Sequence, residues 1–217
     1  MKPIRFPVLT LATALIALFS TALLPAQNYA KAYGPRIALI LSETAPEGTM
    51  VNFRAKAGTA TPWIDLNGNG ICEAGEAKLS DEPIALSPWC KKFNIFGQIE
   101  ELEAQDIPEL TEIDLSSGHY IKVLRCNGGR LTGLDFSKSP LLEELYCADN
   151  QLSSLKVTAC PELRVLYCPN NLPLKALDLS RCPKLSSFTY TGSPITKLIR
   201  HQEAPAKKRS CWFKKRK

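Results

Sequence analysis

The stretch Leu141–Pro161, LLEELYCADNQLSSLKVTACP, decides how this chain is read. Its apolar residues Leu142, Leu145, Cys147, Leu152 and Leu155 and the polar Asn150 do not follow a helical period. They fit a short strand, a tight turn and a returning segment that all point inward. The Leu-x-Cys triplet recurs as Leu124-Arg125-Cys126, Leu145-Tyr146-Cys147 and Leu166-Tyr167-Cys168, each 21 residues after the last. The frame reaches back to Leu102-Glu103-Ala104 and out to Phe188-Thr189-Tyr190. Five units follow: 98–119, 120–140, 141–161, 162–183 and 184–205. A single unit cannot bury its Leu stripe, but stacked units share one continuous core, each adding a strand to a parallel sheet.

These positions fall on the template L-x-x-L-x-L-x-x-N-x-L, and over about half of its length the chain resembles the leucine-rich repeats of internalin-like bacterial surface proteins. Within that group the resemblance is to 21-residue repeats with Cys at the third inward strand position. Some positions depart from the pattern. Ile107, Gly129 and Ser193 stand where Asn150 and Asn171 stand in their own units, one residue is inserted around Pro173, and the outer units lack the Cys. The expected fold is an α/β-type solenoid dominated by β and irregular structure, a leucine-rich repeat with a short parallel sheet preceded by a small β-rich module. The resemblance implies adhesion or protein–protein binding at a bacterial surface. No enzymatic activity is expected, because no clustered acid, base or nucleophile is visible.

On each strand the residues between inward positions face the concave side. That column is Glu103, Arg125, Tyr146, Tyr167 and Thr189. It is flanked by Glu101, Val123, Glu144, Val165 and Ser187 on one side, and by Gln105, Asn127, Ala148, Pro169 and Thr191 on the other. Two tyrosines beside an arginine have the composition of a binding hot spot, and equally that of a cross-strand aromatic pair supporting the sheet. The expected partner is a protein or glycan at a cell surface, not a nucleic acid or a small-molecule substrate.

The eight cysteines divide by position. Parallel strands about 4.8 Å apart set Cβ atoms too far apart for disulfides, so Cys126, Cys147 and Cys168 read as small buried hydrophobes. Cys160 and Cys182 close successive units in TACP and SRCP as a second stacked pair. Cys72 and Cys90 are the candidate disulfide, and Cys211 lies in the tail.

Residues 33–97 form the module ahead of the repeats. Strand-like segments run at 37–41, 50–57, 62–65, 84–86 and 93–96, punctuated by Gly, Pro and Asn. Within it Asp65, Asn67, Asn69, Ile71, Glu73 and Glu76 match the spacing of a calcium loop, although the flanking segments read as strands rather than helices. The two readings are a calcium site and a tight hairpin shaped by Asn and Gly.

The 217 residues carry a formal charge of +6 that the chain ends supply. Tail residues 207–217 contain seven cations and no acid. The body between the ends is mildly acidic, unlike a nucleic-acid-binding domain. Lys2, Arg5 and the uncharged apolar run Val8–Leu24 read as a secretory signal over 1–26, with cleavage after Ala26 or Ala32, so the protein is expected to be secreted or held at the bacterial cell surface. The basic tail 206–217, with Trp212 and Phe213, suits an anionic envelope surface. An envelope-associated structural protein attached by that tail, or a truncated relative of the repeat family, is the alternative reading.

Overall fold

The computed structural model describes residues 34–46, 51–58, 61–66, 69–70, 76, 78–79, 84–86 and 91–201. Residues 1–26, expected to be a secretory signal, and Cys72, Cys90 and the basic tail with Cys211 lie outside the described residues. Along the chain the strands are β1 (Arg36–Leu41), β2 (Val51–Ala57), β3 (Trp63–Asp65), β4 (Ile84–Leu86), β5 (Lys92–Phe96), β6 (Ile99–Glu103), β7 (Leu110–Asp114), β8 (Val123–Arg125), β9 (Gly133–Asp135), β10 (Glu144–Tyr146), β11 (Ser154–Lys156), β12 (Val165–Tyr167), β13 (Ala176–Leu179), β14 (Ser187–Thr189) and β15 (Lys197–Arg200).

The repeats wind as a β-solenoid of five coils. Strands β6, β8, β10, β12 and β14, one per coil, pair in parallel and in register. Leu102, Leu124, Leu145, Leu166 and Phe188 fall opposite one another on the inward side. The first four are at most 1% exposed, and burying each stabilises the fold by about 2 kcal/mol. On the return side of the coil, β9 pairs with β11 and β13 with β15, again in parallel.

The α/β expectation is corrected: no helix occurs among the described residues. The return segment is too short and wrongly patterned for one. Leu134 and Phe136, Leu155 and Val157, and Leu177 and Leu179 are buried at strand period, two residues apart. Pro140, Pro161 and Pro183 then follow each turn, where a helix would need a backbone N–H. A few residues cannot offset the cost of helix nucleation.

Each coil turns through one residue with positive φ: Asp106, Gly128, Asp149, Asn170 and Gly192. These are the residue types that enter the left-handed region most readily. At Gly128 the space is also closed, since a Cβ there would lie 2.7 Å from the Asp106 carboxylate.

The N-terminal segments continue both sides of the solenoid. Strand β2 adds antiparallel to β6, giving a seven-stranded sheet in the order β14-β12-β10-β8-β6-β2-β4. Strand β1 adds antiparallel to β7 in the four-stranded sheet β3-β5-β1-β7. Ile37, Leu39, Phe53, Phe93 and Ile95 thereby join the same apolar core as the Leu columns.

Candidate partner-binding face

The strand register sets Glu103, Arg125, Tyr146, Tyr167 and Thr189 side by side across five strands. Strands this short leave one inward side chain, so the residues on either side face outward.

The acidic half of the column is tied together. Glu103 accepts from Arg54 of β2 at 2.6 Å and from Arg125 at 3.2 Å. Arg125 also lies 3.5 Å from Glu144, and its guanidinium sits 5.1 Å from the centre of the Tyr146 ring. The Tyr146 hydroxyl donates to Glu144 at 3.2 Å. Burial raises the Tyr146 phenol above its ordinary pKa, the Glu144 carboxylate pushes it the same way, and Arg125 opposes them. Tyr146 and Tyr167 are tilted against each other with ring centres 6.2 Å apart. Tyr167 is 41% exposed and carries the aromatic surface outward.

The third column is partly locked. Asn127 donates to Gln105 at 2.7 Å, and its Oδ1 accepts the Ala148 N–H at 2.8 Å. Around Arg125 the face is thus held rigid by charged contacts and is aromatic toward Tyr167, which suits recognition without reordering of side chains.

The Asn column behind this face has a structural role. Asn150 donates to the carbonyls of Cys126 at 2.7 Å and Ala148 at 3.0 Å, and accepts the Leu131 N–H at 3.1 Å. Asn171 repeats the pattern one coil on, with Cys147, Pro169 and Leu152. Ser193 takes over in the last coil, donating to the Cys168 carbonyl and accepting the Asn171 N–H.

The five described cysteines are free and buried. Burial pushes the thiols of Cys126, Cys160 and Cys168 up to about 12 and Cys182 to about 11, and raises Cys147 well above the usual value. Such thiols are poor nucleophiles and poor metal ligands.

Of the candidate calcium ligands, Asn67, Ile71 and Glu73 lie outside the described residues. Asp65 is fully buried, and its carboxylate accepts from the Gly70 N–H at 3.0 Å and the Asn94 amide at 3.4 Å. Glu76 accepts the Leu66 N–H at 3.1 Å. Leu79 donates to the Pro62 carbonyl, and Trp63 bridges antiparallel to Lys78. Asp65 and Glu76 thus each accept a backbone N–H within this segment. Among the described residues, no three His, Cys, Asp or Glu side chains cluster as a metal site.

Sequence spacing does not show a cleft of about 490 Å³ between β7 and β9, lined by Thr111, Asp114, Thr132, Asp135, Lys138 and Lys156. It lies on the return side, away from the tyrosines, where β7 leaves the coil to pair with β1. Two of its carboxylates are engaged: Asp114 and Asp135 accept the N–H groups of Ser116 and Ser137, and Asp135 pairs with Lys156 at 2.7 Å.

No model of a known protein family matches the chain. No curated protein matches it either.

Proposed function

We propose that this is an exported, non-enzymatic leucine-rich repeat protein of the internalin-like type, which binds a protein partner at the bacterial surface through the outward face of its parallel sheet. The observation that carries this reading is the in-register column Glu103, Arg125, Tyr146, Tyr167 and Thr189, with an arginine against a tyrosine and an exposed second tyrosine. Aromatic and arginine side chains contribute most of the energy of protein interfaces, and the ion pairs around Arg125 keep its orientation fixed. The 21-residue spacing, the Asn column and the buried Cys column support the repeat type. The apolar run after Lys2 and Arg5 supports export.

The test compares capture from cell-surface extracts by the wild-type chain and by a Tyr146→Ala/Tyr167→Ala variant of equal thermal stability. Loss of a specific protein from the variant, by tenfold or more in affinity, is expected, since hot-spot truncations cost about 2 kcal/mol or more. Unchanged capture, or capture that disappears for both proteins as salt is raised, would remove the sheet face from consideration.

A further inference from the structure

Charge is sorted along the solenoid. Residues 98–135 carry eight acids and three bases, and residues 136–174 carry four and three. Residues 175–201 carry a single acid, Asp178, against Lys175, Arg181, Lys184, Lys197 and Arg200. The net charge thus runs from −5 through −1 to +4 toward the last coil, with the two histidines counted neutral. All five cations at that end are exposed.

The core also comes to the surface there. Strand β14 ends the seven-stranded sheet and β15 ends its own pair, so neither has a further partner strand among the described residues. Leu185, Phe188, Tyr190, Ile195 and Leu198 pack on the core but remain only partly buried. Phe188 and Tyr190 stack with ring centres 4.9 Å apart, and the Arg200 guanidinium lies 5.9 Å from the Phe188 ring. A cleft of about 400 Å³ opens between Cys182, Pro183, Phe188 and Arg200. The result is an apolar cleft bordered by Arg200, in a coil end whose other Lys and Arg side chains are exposed.

We infer that this end of the solenoid is a docking surface for an anionic lipid bilayer. Lys and Arg of this end meet lipid phosphates, while Leu185 and Phe188 in the open cleft reach the boundary of the acyl chains. Charge complementarity selects this occupant. A second copy packed end to end would bring two positive rims together, and a bilayer accepts a diffuse ring of cations without a matching shape. The inference concerns the folded end, which adds to whatever the tail contributes.

The experiment uses the full chain and vesicles of phosphatidylcholine, with or without about one-third phosphatidylglycerol. Sedimentation should show binding to the anionic vesicles only, weakening as salt rises. An Arg181→Glu/Lys184→Glu/Arg200→Glu variant should bind about a hundredfold more weakly, at about fivefold per cation removed. Because Lys184 pairs with Glu162, an Arg181→Gln/Lys184→Gln/Arg200→Gln variant provides the same comparison if the first does not fold. A third variant keeps this end and replaces the Lys and Arg of 207–217 by Gln, and it should retain salt-sensitive binding. Two results would overturn the inference: reversal variants that bind like wild type, or binding lost entirely with the tail cations.

Discussion

Asn150 has two amide donors and a carbonyl acceptor, and the coil uses both kinds on buried backbone groups, the Cys126 carbonyl and the Leu131 N–H among them. Asn150→Ala should therefore cost about 3 kcal/mol, several times a surface substitution, because the Cys126 carbonyl and the Leu131 N–H lose this partner together while the Ala148 carbonyl keeps the Gly128 N–H. The opposite case is Ser139, whose buried hydroxyl has no hydrogen-bond partner. It sits one coil before Cys160 and two before Cys182, where the later coils carry a thiol in place of the hydroxyl. Ser139→Ala should stabilise the protein by about 1 kcal/mol by removing an unsatisfied polar atom. Urea unfolding of both variants measures the two signs. Asn150, Asn171 and the Cys columns were legible in the sequence because their spacing repeats. That Ser193 would stand in for Asn was not legible, since its competence depends on the Cys168 carbonyl lying within its reach.

At the scale of elements, the first and fourth coils carry an extra residue at one place. Ile107 to Leu110 and Asn171 to Leu174 span three steps where the other coils span two, and each longer turn contains a proline. Leu110 donates to the Ile107 carbonyl at 2.9 Å and Leu174 to the Asn171 carbonyl at 3.0 Å, so the insertion is looped outward. Leu172 is 74% exposed as a result. The return-side sheet is interrupted between β7 and β9 and between β11 and β13, each time beside a longer coil. Strands β13 and β15 pair across a junction of the same kind, so the extra residue permits a gap without enforcing one. In the shorter coil, Gln151 donates its N–H to the Leu131 carbonyl. Deleting Pro173 would put Leu172 at that position with its N–H intact, and should change stability by less than about 1 kcal/mol. Deleting Leu172 would put proline there, and should cost about 1–3 kcal/mol through the missing donor. Denaturant midpoints of the two deletions give the comparison. The strands of the N-terminal module were readable from alternation in segments such as VNFRAKA. The α/β expectation came from the repeat class, and the period-two burial of Leu155 and Val157 shows strand on the return side instead.

For the whole molecule, the buried thiols set a limit on the alkaline side. The native fold keeps its thiols protonated until about pH 11–12, whereas ordinary thiols ionise near 9. Above that lower value the unfolded chain binds fewer protons than the native one, so stability is complete below it and falls as pH rises toward 12. Thermal melting should show a steep decline across this window. A Cys126→Ala/Cys147→Ala/Cys168→Ala variant should start lower and decline less steeply, which separates the thiols from tyrosines and lysines titrating in the same range. The face proposed for binding was readable as a column of residues before any coordinates. Its ties to Arg54 were not, because β2 reaches the sheet through a pairing that no periodicity in the repeats announces.

The left-handed residue in every coil has a bearing on heredity. Asp106, Gly128, Asp149, Asn170 and Gly192 must stay aligned for the chain to turn at the same place in each layer. Loss or gain of one codon within a strand would rotate every later side chain to the wrong face. Both longer coils carry their surplus residue after the turn, where it escapes outward and the alignment recovers. Outside that one site, a lineage of such genes can change length only by whole coils, so duplication and excision of about 21 codons are the mutations this architecture can inherit.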